Sequence, residues 1–287
     1  MSVLSEKAML VRFNTKVLQE SKRSPAIENA ALEKLTDVQQ AMIKGNKSLF
    51  IDDPMHDIKF IISQARKAHY SMTLSWEDSG NRILPSSAFF DYQKKMQGYK
   101  ADFDNAVSEF IRNYDAYLKA AKSALGQLYD PAEYPAEVEL PRLFLFDTVV
   151  TPIPEGKDFR ADVSDEATKR IQSEIEERME NQFQKANKEL WHRLFEVTNH
   201  LADKLKADDP DFKTASIDNV LSLTELLPKL NMSNDPELEE RRRELVNLLS
   251  QKKPSEFRKD LLKDEDLRKD TSDKVNDILE KMSNQVT

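Results

Sequence analysis

Residues 89–128 read FFDYQKKMQGYKADFDNAVSEFIRNYDAYLKAAKSALGQL, and their apolar side chains recur with helical spacing. The stripe begins at Phe89 and ends at Leu128, and its eleven steps average 3.55 residues. Side chains repeated at this interval lie on one face of a helix. The stretch therefore predicts one continuous amphipathic helix, about 60 Å long at the usual rise per residue.

A second stripe of the same kind runs from Ile171 to Leu205. Ser164 precedes it as a suitable helix cap, and Asp165 and Glu166 follow where the helix dipole favours acidic side chains. Two amphipathic helices of matched length, joined by a short β-rich segment, are expected to pack antiparallel. Either stripe could also supply an interface between copies of the chain, which makes a homo-oligomer possible.

Short strands are predicted beside these helices. Residues 9–18 alternate between apolar and polar side chains, and residues 70–76 alternate again. Turn-forming residues at 78–81 then lead into Arg82-Ile83-Leu84, which suits the returning strand of a hairpin.

The other segments have the character of helices. Ser24-Pro25 predicts the start of one that runs through about Ile43. After residue 207 the chain consists of short, densely charged pieces separated by prolines, which can bury little apolar surface. We therefore expect a core domain at 1–207 and a charged helical C-terminal region at 208–287, loosely docked and partly mobile.

The composition agrees with a helix-rich chain and excludes several classes. Among 287 residues there are 5 glycines and no cysteine, and 33% of the residues are charged. The lack of cysteine excludes disulfides, thiolate metal sites and a cysteine nucleophile. The expected fold is mainly α (α+β), with two long antiparallel helices, a small antiparallel β element and a helical C-terminal region, and not an OB-fold.

No apolar run approaches the ~20 residues that span a bilayer, and the first 25 residues lack the apolar centre of a signal peptide. A cytoplasmic protein without a membrane partner is therefore expected.

One group of residues has the spacing of a metal site. Glu189 and His192 lie three apart on the second long helix, with Glu196 and His200 further along it. Di-iron bundles need two such pairs and two more glutamates, and no second pair is present. The group is interpreted as the solvated flank of a helix. We therefore expect no catalytic residues, no metal and no cofactor, and a protein that is not an enzyme.

Basic and aromatic residues are concentrated in one segment. The whole chain has 43 basic and 51 acidic residues, a net charge of −8, but residues 58–100 hold seven bases against three acids. The same segment holds seven of the aromatic residues. Single-stranded nucleic acids bind to grooves that combine cations for the backbone with rings on which bases stack.

The composition of this segment predicts a site for single-stranded DNA. Six cations are expected to contact phosphates and two rings to stack on bases. The phosphate contacts are Arg66, Lys67, Arg82, Lys94, Lys95 and Lys100, and the stacking rings are Tyr70 and Trp76.

A structural role for the same residues is an open alternative. Four aromatic residues of the apolar stripe are expected in the core, namely Phe89, Tyr92, Tyr99 and Phe103. Tyr70 and Trp76 alternate with apolar neighbours, so one face of their predicted strand is expected to be buried. Lys94 and Lys95 flank the stripe, where a solvated helix face also explains them.

Several short motifs, taken in order, resemble a family of bacteriophage-encoded proteins of unknown function over roughly residues 60–205. The motifs are Arg82-Ile83-Leu84-Pro85 leading into Tyr92, the helix from Phe103 to Phe110, Tyr129-Asp130-Pro131-Ala132-Glu133-Tyr134-Pro135, Asp158-Phe159-Arg160-Ala161-Asp162-Val163 and Leu190-Trp191-His192-Arg193-Leu194. The chain also resembles the single-stranded DNA-binding RNA polymerase cofactors of N4-like phages, which are helix-rich and lack an OB-fold.

This resemblance implies a non-catalytic transcription cofactor in the host cell cytoplasm. It would bind single-stranded DNA at locally melted promoters and recruit a phage RNA polymerase. The alternative is a helical adaptor or interaction protein that serves a phage ATPase or assembly machine and binds no nucleic acid. The long apolar stripes would then be its working surface.

Overall fold

The structure, a computed structural model, describes residues 3–24, 45–77, 80–159, 161, 163–206 and 212–286. It is mainly helical with a small antiparallel sheet, which confirms the predicted fold class. The helix predicted to follow Ser24 lies outside the described residues. None of the described helices is long and apolar enough to cross a lipid bilayer.

The described residues form six strands and nine α-helices, joined in places by short 3₁₀ turns. The strands are β1 (Ala8–Lys16), β2 (Ser21–Arg23), β3 (Asn46–Ser48), β4 (Leu74–Ser75), β5 (Arg82–Pro85) and β6 (Leu145–Thr151). The helices are α1 (Val3–Lys7), α2 (His56–Met72), α3 (Phe89–Arg112), α4 (Tyr114–Leu125), α5 (Asp165–Lys206), α6 (Thr214–Leu230), α7 (Pro236–Leu249), α8 (Pro254–Lys263) and α9 (Glu265–Val286).

The chain divides into two compact units, each built from separate stretches of sequence. The first unit comprises Met1–Arg12, His69–Gln93 and Val149–Thr287, and the second comprises Phe13–Ala68 and Lys94–Thr148. This division differs from the expected boundary after residue 207.

The first unit is organised around α5. Ser164 caps this helix as expected, since its Oγ accepts a hydrogen bond from the Ala167 amide at 3.3 Å. Helices α9 and α6 pack along α5. A 3₁₀ turn at Gly156 also packs against α5. If Gly156 carried a side chain, its Cβ atom would lie 2.6 Å from the carbonyl oxygen of Gln172. Only glycine lets the two backbones approach so closely.

The C-terminal helices belong to the core of the first unit. Val220 on α6, Leu245 on α7, Leu261 on α8 and Val275 on α9 are all buried in one cluster with Leu194 of α5. The expectation of a loosely docked region at 208–287 is therefore corrected, and α5 has α9 as its main helical neighbour. Each short helix buries few apolar residues by itself, but four of them together with α5 enclose a core.

The predicted helix over 89–128 is interrupted at Asn113. Its amide donates to the carbonyl oxygens of Glu109 and Phe110, and its side chain also donates to Glu109, at 3.0 Å. The Asn113 carbonyl oxygen in turn accepts from Ala116 and opens the next helix. Because the apolar repeat continues through the break, spacing alone could not reveal it.

The sheet has the strand order β4-β5-β1-β6. Strand β5 pairs antiparallel with β4, which confirms the predicted hairpin, and it also pairs antiparallel with β1. The strand predicted over 70–76 is only partly present. Helix α2 continues through Met72, and Thr73 closes it by donating its hydroxyl to the His69 carbonyl oxygen at 2.6 Å.

Aromatic side chains form the core of the second unit. Phe110 lies at its centre, with ring centroids 6.0 Å from Phe50, 5.8 Å from Tyr114 and 5.6 Å from Phe144. The hydroxyl of Tyr134 donates to the Leu49 carbonyl oxygen at 2.8 Å. Burial raises the pKa of Tyr134 to about 12.

Replacing Leu245 with alanine tests whether the C-terminal helices form part of the core. We expect Leu245→Ala to reduce the free energy of unfolding by about 2–5 kcal/mol, because the side chain is fully buried. Chemical denaturation followed by circular dichroism measures the effect. Leu262→Ala on α8 is the control, since Leu262 is exposed. Equal stability of the two variants would contradict this packing.

Candidate nucleic-acid interface

In the second unit, α2 has one buried and one exposed face. Ile58, Ala65 and Ala68 point into the unit and are buried. The solvent face of the same stretch carries His56, Asp57, Phe60, Ser63, Arg66 and Lys67. The buried positions repeat at helical intervals and define the orientation of the helix, so the exposed set follows from the same amphipathic pattern.

Two flat rings lie together on this exposed face. Phe60 is 56% exposed, and its ring is nearly parallel to the His56 imidazole, with 13° between the planes and 6.5 Å between the centroids. The residues are four apart and therefore neighbours on the helix surface. They form an exposed aromatic surface of the kind on which nucleobases stack.

Two of the predicted cations lie on the same face. Arg66 is exposed, and its Nη2 donates to the hydroxyl of Thr15 at 3.0 Å. Lys67 is exposed and follows Phe60 by two helical turns. The structure therefore places Arg66 and Lys67 on the α2 face that carries Phe60.

Lys59 differs from these cations because carboxylates hold it. Its Nζ lies 2.6 Å from both Glu20 and Asp53. Burial acts to lower the pKa of Lys59, but its bonds to Asp53 and Glu20 outweigh burial and raise it. Lys59 therefore stabilises the start of α2.

Three further predicted cations lie on α3, also in the second unit. Lys94 and Lys95 are exposed. Lys100 is exposed too, but its Nζ is 2.6 Å from both carboxylate oxygens of Asp104 one turn along the helix. The positive charge of Lys100 is thus balanced locally.

In the first unit, Tyr70 is half exposed and its ring is held by two neighbours. The guanidinium carbon of Arg82 lies 4.8 Å from the ring centroid, and the His69 ring meets it edge to face at 5.6 Å. His69 is buried, and its Nδ1 is 2.8 Å from the Tyr92 hydroxyl. Burial raises the pKa of Tyr92.

Arg82 is turned into the protein, which corrects its predicted role as a phosphate contact. Its Nε donates to the Thr73 hydroxyl at 2.7 Å, and its Nη2 lies 3.4 Å from a carboxylate oxygen of Glu189. Burial is the main cause that lowers the pKa of Arg82, and the Glu189 charge opposes it. The Arg82 guanidinium thus contacts Thr73, Glu189 and the Tyr70 ring within the first unit.

Glu189 accepts hydrogen bonds at both carboxylate oxygens. The Ser75 amide donates to Oε2 at 2.5 Å, and Nε of Arg193 donates to Oε1 at 3.0 Å. Burial acts to raise the pKa of Glu189, but Arg193 and the Ser75 hydrogen bonds outweigh it and lower the pKa. Glu189 thus has a structural part in an ionic network.

The other residues with the spacing of a metal site, His192, Glu196 and His200, are exposed. The Nε2 atom of His192 lies 3.9 Å from Glu196, and both side chains are exposed. Among the described residues, no group of three His, Asp or Glu side chains is arranged to hold a metal ion.

Trp76 is buried, which corrects its predicted role as a stacking ring. It is 8% exposed and belongs to the apolar cluster of the first unit, together with Leu74 and Ile83 of the hairpin and Leu190 of α5. An indole in the core cannot receive a base. The sequence alternation at 70–76 could not decide which of its rings would be buried.

Phe60 and His56 were not predicted as site residues. Their signal lay in the helical repeat of Ile58, Ile61 and Ala65, which leaves Phe60 off the buried face. A large aromatic residue on the polar side of an amphipathic helix, about two turns before Arg66 and Lys67, could have been singled out from this spacing.

The two units differ in net charge. The stretches 13–68 and 94–148 together hold 16 basic and 16 acidic residues, so the whole net charge of −8 belongs to the first unit. A neutral surface repels a polyanion less than an acidic one does. Charge therefore favours the second unit for contacts with the phosphates of a nucleic acid.

The comparisons with known proteins identify no relative. No protein-family model, no curated protein and no solved structure matches the chain.

The lowered pKa of Glu189 predicts how acid affects stability. The ionised carboxylate stabilises the folded unit, and this contribution is complete above the ordinary pKa of 4.5. It is lost as the pH falls through the lowered pKa of the folded state. We therefore expect Glu189→Gln to destabilise the protein near neutral pH and this difference from the wild type to shrink in acid.

Urea denaturation at about pH 7 and about pH 3 measures this difference. Glu196→Gln is the matched control, because Glu196 is an exposed carboxylate on the same helix. If the free energies of unfolding of Glu189→Gln and the wild type differ by the same amount at both pH values, the ionised carboxylate does not stabilise the fold as proposed.

Proposed function

We propose that the protein binds single-stranded DNA through the exposed face of α2, without catalysis. The observation that carries this proposal is the nearly parallel pair of exposed rings, His56 and Phe60, beside Arg66 and Lys67 on one helix face. Rings for stacking and cations for phosphates are the two components of a single-strand site.

Each component has a separate part in binding. Stacking on Phe60 contributes affinity with any base, because every base has a flat π face, and is worth about 1–3 kcal/mol per base. Lys67 stands about 10 Å further along the helix axis, within reach of neighbouring backbone phosphates. Its contribution comes from release of counterions and therefore depends on salt.

The revised site keeps part of the predicted set. Arg66 and Lys67 remain as proposed phosphate contacts, and exposed Lys94 and Lys95 on α3 are additional candidates. Phe60 takes the stacking part that was predicted for Trp76.

The partnership with a phage RNA polymerase rests on the resemblance alone and stays a prediction. A cofactor of this kind would hold a melted strand through a site without sequence preference and recruit the polymerase through another surface.

The proposed site predicts different effects of losing a ring and losing a cation. Phe60→Ala is expected to weaken binding of a labelled dT oligomer by about 1–3 kcal/mol, with an unchanged salt dependence. Lys67→Gln is expected to weaken binding at low salt and to reduce the slope of log K against log salt by about 0.7. Fluorescence anisotropy titrations at several salt concentrations measure both effects.

Two control variants accompany this experiment. Phe90→Ala removes an aromatic residue of the first unit that is 77% exposed, and Lys119→Gln removes an exposed cation from α4. Both are expected to bind as the wild type does. Failure of the wild type to bind at low salt would overturn the proposed function, and full binding by Phe60→Ala would overturn the proposed site.

A helical adaptor without nucleic-acid binding is the second candidate. Strand β6 favours it, because β6 ends the strand order of the sheet and exposes Leu145, Val149 and Val150. Exposed apolar edge strands are suited to pairing with a strand of a partner protein. The same titration separates the candidates, since an adaptor of this kind gives no anisotropy change at low salt.

A further inference from the structure

We propose that Tyr70 is a second stacking site, in the first unit, and that Arg82 positions its ring instead of contacting a phosphate. This inference rests on the proposed function, because its ligand is an unpaired base of single-stranded DNA. It assigns Thr73 and Glu189 to the same task, since they hold Arg82.

The Tyr70 ring is held by two neighbouring side chains and is partly open to solvent. Arg82 covers one side of the ring, with its guanidinium carbon 4.8 Å from the centroid, and the His69 ring stands at 62° to it. Half of the residue's surface remains exposed. A base that stacks on the exposed part of this ring would lie against a phenol that Arg82 already contacts.

Arg82 is fixed in a manner that suits this task. Its side chain is only 13% exposed. The Thr73 hydroxyl accepts from Nε at 2.7 Å, the Thr73 carbonyl oxygen accepts from Nη2 at 3.2 Å, and Glu189 lies 3.4 Å from the same nitrogen. The Arg82 guanidinium cannot turn outward to a phosphate without breaking these hydrogen bonds and the contact with Glu189.

Arg193 completes the support from α5. Its Nη2 donates to the Thr73 carbonyl oxygen at 2.7 Å, and its Nε donates to Glu189 at 3.0 Å. Arg82 and Arg193 both lie against the carboxylate of Glu189, which restrains the guanidinium that contacts the Tyr70 ring. A ring ordered before binding loses less conformational entropy when a base stacks on it.

The ligand follows from this chemistry. The site offers a π face supported by a guanidinium, and stacking on a π face is open to every base, so any unpaired base fits. A base inside a duplex is already stacked on both sides and is excluded.

Arg82→Lys separates positioning from phosphate contact. Lysine keeps the charge but lacks the planar fork that stacks on a ring and bonds to Thr73 and Glu189. If Arg82 positions Tyr70, Arg82→Lys and Tyr70→Ala weaken binding of the dT oligomer similarly, by roughly 5- to 150-fold, with unchanged salt dependence. If Arg82 contacts a phosphate, Arg82→Lys retains most of the affinity.

Double variants supply the readout that a merely structural effect would not produce. In a Tyr70→Ala background, Arg82→Lys is expected to have no further effect, because the ring that it positions is absent. In a Phe60→Ala background it is expected to keep its full effect. Thr73→Val removes the hydroxyl that holds Arg82 Nε. It is expected to lower the affinity less than Arg82→Lys does, and again only when Tyr70 is present. This variant tests the inference even if Arg82→Lys folds poorly.

The outcomes distinguish this inference from the proposed function. If the wild type does not bind the dT oligomer, both are overturned. If the wild type binds and Phe60→Ala loses affinity, but Tyr70→Ala and Arg82→Lys bind as the wild type does, only the Tyr70 site is overturned. If Arg82→Lys weakens binding equally with and without Tyr70, Arg82 does not act through that ring.

Discussion

The carboxylate of Glu189 is the point on which the arrangement of the first unit depends. It accepts from the Ser75 amide of β4 and from Arg193 of its own helix, and it faces Arg82 of β5. One partly buried carboxylate thus joins the hairpin to α5. Removing one member of such a network leaves the other charges without compensation in a poorly solvated place, so the hairpin and the helix are held in one arrangement.

The same network relates stability to the proposed function. Arg82 is held by Thr73 and Glu189, and its guanidinium lies over the Tyr70 ring. In the second unit, His56 and Phe60 lie on an exposed helix face, where the Nδ1 atom of His56 is 3.8 Å from the exposed carboxylate of Asp53. The two proposed stacking surfaces therefore differ in how firmly their rings are held, which is a difference in preorganisation.

The local elements were largely predictable because they depend on short-range chemistry. The Ser164 cap, the long stripe of α5 and the return of β5 toward β4 all follow from side chains close in sequence. The break at Asn113 was not predictable, since the apolar repeat passes through it without a change of phase. The packing of the C-terminal helices was missed because each one, taken alone, buries too little surface to indicate a core.

The sequence by itself determined the helical class, the amphipathic faces and the concentration of cations and rings in residues 58–100, because composition and spacing are properties of the chain. Tertiary structure decided which of those side chains meet solvent. Trp76 is enclosed by Leu74, Ile83 and Leu190, and Arg82 is turned toward Glu189, whereas Phe60 remains outside. Trp76 and Arg82 are covered through contacts with Leu190 and Glu189, more than a hundred positions away, and local periodicity carries no information about such contacts.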